Sequence, residues 1–233
     1  MTREALIIGH GQPSDPAPAD ADMQALARAV AGLLPDWRIE GATLAAEGAL
    51  AAALDRLKTP LVLPFFMAEG FFTRQILPAR LAALGATHLR HLPPFGLWPE
   101  TASLAVRLLC EAIDSAGWQM ADTRLLLAAH GSGRGPLAAE AARTVRARIE
   151  AGTAFAEACL GFIEEPPFLA DAARDLGPQA LCLPLFVARW GHVRDDLPEA
   201  LAKAEFQGRV LDPLGCHPAV PALIAAALSR QAE

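Results

Sequence analysis

The chain has no apolar run of the roughly 18 to 20 residues that a membrane span requires. Its start, Met1-Thr2-Arg3-Glu4, carries none of the basic, apolar and small-residue zones of a secretory signal. These absences make a soluble, cytoplasmic protein the expectation. A basic run is also missing, the net charge is -6 and aromatics make up only 6%. Nucleic-acid binding needs a positive face, so it is not expected. Cys110, Cys159, Cys182 and Cys216 lie far apart among apolar residues with no C-x-x-C, which leaves a zinc knuckle or iron–sulfur cluster unsupported and reads as buried reduced thiols. Neither a P-loop nor a dinucleotide fingerprint occurs, so no ATP and no organic cofactor are expected. What is present is apolar bulk. The 233 residues are 53% hydrophobic and 20% charged, enough for one large domain or two of about 110 to 120 residues.

The chain repeats itself once. At a displacement of 120 residues, Leu6-Ile7-Ile8-Gly9-His10-Gly11 falls on Leu126-Leu127-Ala128-Ala129-His130-Gly131. Leu61-Val62-Leu63-Pro64-Phe65-Phe66 falls on Leu181-Cys182-Leu183-Pro184-Leu185-Phe186, and Arg74, Leu77 and Pro78 fall on Arg194, Leu197 and Pro198. Near the end the displacement becomes 119, where Pro94-Phe95-Gly96 and Pro99 match Pro213-Leu214-Gly215 and Pro218. One register held over a whole half implies internal duplication. The expected lobes are 1–120 and 121–233.

Each lobe alternates short apolar runs with amphipathic ones. In the second, Arg124 to Ala129, Cys159 to Ile163, Ala180 to Val187 and Arg209 to Leu211 read as strands. Pro136 to Ala151, Pro166 to Leu176, Asp195 to Ala204 and Pro218 to Arg230 read as helices, with Asp195 or Asp196 as an N-cap. Alternating β and α units imply an α/β fold: two flavodoxin-like lobes, each a four-stranded parallel sheet flanked by helices.

Ligands of such sheets bind beyond the carboxyl ends of the strands, where strand order reverses. His130 directly follows the first strand of the second lobe, Glu164 and Glu165 follow the second, and His192 lies just past the third. In a flavodoxin-like order the first and third strands are neighbours, about 4.8 Å apart. The two imidazoles can then face one another across one crevice. Imidazole binds divalent iron, cobalt, nickel or zinc, and it accepts protons near neutrality. A desolvated Glu165 could add a proton acceptor. The first lobe keeps His10-Gly11 but puts Phe72 opposite His192, Ile76 opposite Asp196, and Leu44-Ala45 opposite Glu164-Glu165. One lobe holds the complete polar set. His88 and His91 read as structural, and His217 could touch the site. The loop Gly131-Ser132-Gly133-Arg134-Gly135, leading into a helix, could cradle a phosphate or instead hold a carboxylate of the substrate. Arg134, Arg189 and Arg194 suit a ligand rimmed with acidic groups.

Ala-His-Gly-Ser after a first strand, then Glu-Glu-Pro-Pro, then Pro-Leu-Phe-Val-Ala-Arg-Trp-Gly-His-Val-Arg-Asp-Asp-Leu-Pro, resembles the sirohydrochlorin chelatases over nearly the whole chain. These are the cobalto- and ferrochelatases of cobalamin and siroheme synthesis. The resemblance implies two flavodoxin-like lobes with a tetrapyrrole in the cleft between them. It implies metal-binding histidines at His130 and His192, the motif glutamate at Glu165, with Glu164 the second choice, and the motif aspartate at Asp196. It makes a divalent ion (Co2+, Fe2+ or Ni2+) a substrate. Ser132, Arg134, Trp190, Arg194, Asp196 and His10 are the expected substrate contacts. Trp190 departs from the small residue usual before Gly-His. A carrier that holds a tetrapyrrole or metal without insertion is the alternative. A doubly wound hydrolase is weaker, because Ser132 lacks a nucleophile-elbow pattern. A monomer or a homodimer is expected, with no membrane and no nucleic-acid partner.

Overall fold

The computed structural model describes residues 2–231. The chain divides into two compact units, Met1–Phe95 with Pro218–Glu233, and Gly96–His217. The first unit begins with β1 (Arg3–Gly9), α1 (Pro16–Leu33), β2 (Trp37–Thr43), α2 (Ala49–Leu54) and β3 (Leu61–Pro64). A π-helical turn (Phe72–Ile76) then leads into α3 (Leu77–Ala83). The strand order is β2-β1-β3, all parallel. Ala5 to Ile8 of β1 are fully buried, as expected for a central parallel strand covered on both faces. Leu6 and Ile8 point into one cluster with Leu50 of α2 and Leu77 and Leu81 of α3. Their alternating neighbours face the other side, where α1 packs.

The second unit runs through α4 (Pro99–Ala116), β4 (Arg124–Ala129), α5 (Leu137–Gly152), β5 (Glu157–Phe162), α6 (Leu169–Ala172) and β6 (Ala180–Pro184). It continues through a second π-helical turn (His192–Asp196), α7 (Leu197–Lys203) and β7 (Arg209–Val210). Its order is β5-β4-β6-β7, again parallel. The last helix, α8 (Val220–Arg230), packs on α1 in the first unit. The packing boundary therefore differs from the boundary of the sequence repeat. The helix that ends the first repeat, α4, packs with α5 in the second unit, and α8, which ends the second repeat, joins the first.

Three details depart from the sequence reading. The first sheet has three strands, not four: His91 forms only an isolated bridge to Val62. Pro93 and Pro94 follow at once, and neither has an N–H to extend the ladder. The His91 side chain is exposed there, and partial desolvation by its neighbours lowers its pKa. The helix expected from Pro166 to Leu176 shrinks to four residues, because Phe168 is extended and Asp175 is left-handed at φ 57°. Finally, neither Asp195 nor Asp196 caps a helix through its side chain, since a π-helical turn precedes α7.

That turn has a legible cause. Leu197 N–H bonds to His192 C=O, five residues back, and Leu77 N–H bonds to Phe72 C=O likewise. The following Pro198 and Pro78 have no N–H with which to form the next four-residue bond. Leu197 itself is 2% exposed in a cluster with Leu126, Ala128, Cys182 and Leu201. It pins the turn to the sheet. Leu197→Ala is expected to lower unfolding free energy by about 2–5 kcal/mol, read from the midpoint of a urea transition. Among the described residues no helix is long and apolar enough to cross a membrane. The four cysteines are free, and burial, followed by the proximity of Cys159, pushes the Cys182 thiol up to about 12.

Candidate functional site

In the second unit β4 lies between β5 and β6, with Ala129 paired to Phe162 and Ala128 to Pro184. The carboxyl ends of all three strands therefore finish side by side. The ladder continues past them: Ile163 N–H donates to Ala129 C=O at 3.1 Å and Glu164 N–H to His130 C=O at 2.9 Å. Leu185 N–H donates to Ala128 C=O at 2.7 Å. These bonds fix His130 and Glu164 as neighbours. The π-helical turn brings His192 from the β6 side.

The result is a facing pair of imidazoles. His130 Nε2 and His192 Nε2 are 2.9 Å apart, across 62 residues of sequence. The rings are near-perpendicular, at 88°, with centroids 4.2 Å apart. The partners at the opposite nitrogens set the tautomers. His130 Nδ1 lies 2.9 Å from Gly131 C=O, which can only accept, so this nitrogen carries the proton. His192 Nδ1 lies 2.6 Å from Asp196 Oδ2 and donates to that carboxylate. Both Nε2 atoms then present lone pairs to one another. Two acceptors this close repel unless a proton or a metal ion sits against them. Two nitrogens bound at right angles to one divalent ion, with bonds of about 2.0–2.1 Å, lie about 2.9 Å apart.

The carboxylates divide their places. Glu164 Oε1 is 3.7 Å from His130 Nε2 and its side chain is half exposed. Glu165 instead turns into the loop, where its Oε1 accepts from Ser132 N–H at 2.7 Å. Ser132 Oγ accepts from Arg134 N–H at 3.1 Å, closing the loop. Trp190 is half-buried, and its C=O accepts from Val193 and Arg194 N–H, starting the π-helical turn. Arg134, Arg189 and Arg194 are exposed, and Arg189 pairs with Asp212 at 2.7 Å. His217 is 3.5 Å from Glu111. Among the described residues no cluster of three or more His, Cys, Asp or Glu could hold a metal ion. The site is thus two imidazoles with open positions.

The first unit repeats the frame without the chemistry. His10 Nδ1 lies 2.8 Å from Gly11 C=O. Its ring meets Phe72 edge-on, with centroids 4.1 Å apart. Phe72 thus stands in the place of His192, on an equivalent π-helical turn. Sequence reasoning did not find those turns, although Leu-Pro after them in both repeats was the available signal. Nor did it place Glu164 nearer to His130 than Glu165.

Comparison with known proteins agrees with this architecture. Residues 124–231 match the CbiX family. A solved structure described as CbiX, the terminal enzyme for biosynthesis of siroheme in denitrifying bacteria, is 51% identical, with a TM-score of 0.90 over 98% of this chain and 99% of that one. SirB from Bacillus subtilis with Fe3+ has the same fold at 15% identity, with a TM-score of 0.77 over 100% of this chain and 96% of that one. The sirohydrochlorin chelatase SirB from Bacillus subtilis subspecies spizizenii, in complex with cobalt, gives 0.70 at 14% identity, again over 100% and 96%. No curated protein matches. With about half of its residues identical to a CbiX that it matches nearly end to end, this chain belongs to the CbiX family.

Proposed function

We propose that this chain is a sirohydrochlorin chelatase. It takes one divalent metal ion, Fe2+ or Co2+, and sirohydrochlorin, and it releases the metallated ring and two protons. The observation that carries this reading is the pair of Nε2 atoms 2.9 Å apart at the strand ends. Family membership supports it, together with the siroheme role described for the 51% identical CbiX.

The chemistry follows from the groups present. His130 and His192 hold the incoming ion at neighbouring coordination positions. The remaining positions stay with water and are free to be taken by ring nitrogens. As the ion leaves, both imidazoles regain lone pairs and can accept the two ring N–H protons. Glu164, 3.7 Å from His130 Nε2, is the carboxylate best placed to draw a proton onward. Asp196 holds His192 in the metal-binding tautomer. Arg134, Arg194 and Ser132 line the route of an acidic macrocycle, and Trp190 forms its wall. Imidazole binds both iron and cobalt, so the donor set itself excludes neither. The matching sheet order and the paired π-helical turns support an origin by internal duplication.

The test is spectral. Protein, sirohydrochlorin and Co2+ or Fe2+ are mixed and the visible spectrum is followed. Insertion faster than in the protein-free control is expected. A binding shift without acceleration would instead mark a carrier.

A further inference from the structure

We propose that Glu165 is a positioning residue for His130, acting through one peptide group, and not the acceptor of substrate protons. The inference rests on the chelatase reading of the histidine pair. The unit that connects the two residues is the Gly131–Ser132 peptide. Its N–H donates to Glu165 Oε1 at 2.7 Å. Its C=O accepts from His130 Nδ1 at 2.9 Å. A peptide group is planar and stiff, so a bond at one end orients the other. Glu165 thereby fixes the carbonyl that holds the His130 ring with Nε2 outward. A carboxylate on the N–H also polarises the group, which strengthens the bond at its oxygen.

The packing is specific to this carboxyl group. Gly131 has φ +70°, and a Cβ there would lie 2.8 Å from Glu165 Cγ and 2.9 Å from its Oε1. The glutamate fits because position 131 has no side chain. The first unit supplies an internal comparison. There His10 Nδ1 bonds to Gly11 C=O at 2.8 Å, and Gly11 has φ +79°. Its would-be Cβ meets Thr43 and Ala45, so Ala45 stands where Glu165 does. The His-Gly turn therefore forms without a glutamate. The glutamate occurs only beside the imidazole that faces a second imidazole. His192 has the corresponding support directly, from Asp196 at 2.6 Å. Each ring thus has a carboxylate behind its Nδ1, one in contact and one across a peptide. This is the outer-sphere arrangement that orients metal-binding histidines.

The experiment separates metal affinity from turnover. Co2+ is titrated into the metal-free protein and its visible absorption followed, and insertion is then measured at saturating Co2+. Glu165→Ala is expected to weaken Co2+ binding by about 10–100-fold, with a much smaller fall in kcat. Glu165→Gln keeps an oxygen that can accept from Ser132 N–H, and it should recover most of that affinity. Glu164→Gln should do the reverse, losing kcat more than affinity. Should Glu165→Ala fail to fold, the contrast between the two glutamine variants decides. Glu165→Gln with full Co2+ affinity and a collapsed kcat would make Glu165 the proton acceptor and overturn the proposal, as would unchanged affinity in a folded Glu165→Ala. If the unaltered protein bound no Co2+ at all, the chelatase reading would fall first and this inference with it.

Discussion

Replacing His192 with alanine is expected to reduce metal insertion by about 10²–10⁴-fold while leaving the fold intact. The side chain supplies one of the two Nε2 lone pairs that face each other at 2.9 Å, and no other described His, Cys, Asp or Glu completes a cluster around them. Removing it leaves a single imidazole, which holds a hydrated ion weakly and in no fixed direction. Stability should change little, because the side chain is 48% exposed and its bond to Asp196 lies at the surface. Thermal unfolding within a degree or two of the unaltered protein, together with lost insertion, is the expected pair of results. His130→Ala should match it, and the double variant should be hardly worse than either single one, because the two rings act as a unit. Normal turnover in His192→Ala would remove the site.

Asp196→Ala should weaken metal binding by about 10–100-fold. Asp196 accepts from His192 Nδ1 at 2.6 Å and so holds the proton on the nitrogen facing away from the metal. Without it the ring can turn, or shift its proton to Nε2, and either event hides the lone pair. Asp196→Asn can still offer an oxygen to Nδ1–H, so its loss should be smaller than that of the alanine variant. High metal concentration should restore most of the rate in both. Co2+ affinity and the metal dependence of insertion measure this directly. An alanine variant with unchanged affinity would show that the orientation of His192 is set by the turn alone.

Much of this was legible in the residues. The apolar runs Leu6-Ile7-Ile8 and Leu126-Leu127-Ala128 sit in the central strands β1 and β4, buried on both faces, and such runs admit few other fates. The placing of His130 and His192 across one crevice followed from strand order and the position of each residue just past a strand. Less legible was anything set by a local hydrogen-bond choice. The π-helical turn depends on which carbonyl Leu197 N–H selects, and hydrophobic periodicity carries no trace of that. Which of two adjacent glutamates turns toward the imidazoles was equally hidden. It is decided by the space above Gly131, where Glu165 packs inward and Glu164 is left beside His130. The exchange of α4 and α8 between units was invisible because a repeat in sequence fixes the kind of element and not its packing partner.

The central claim is that one divalent ion binds to both imidazoles at once. X-ray absorption on the Co2+-loaded protein tests it most directly. The prediction is two imidazole nitrogens at about 2.0–2.1 Å, falling to one in His192→Ala. A spectrum with no imidazole scattering, or one that His192→Ala leaves unchanged, would contradict it.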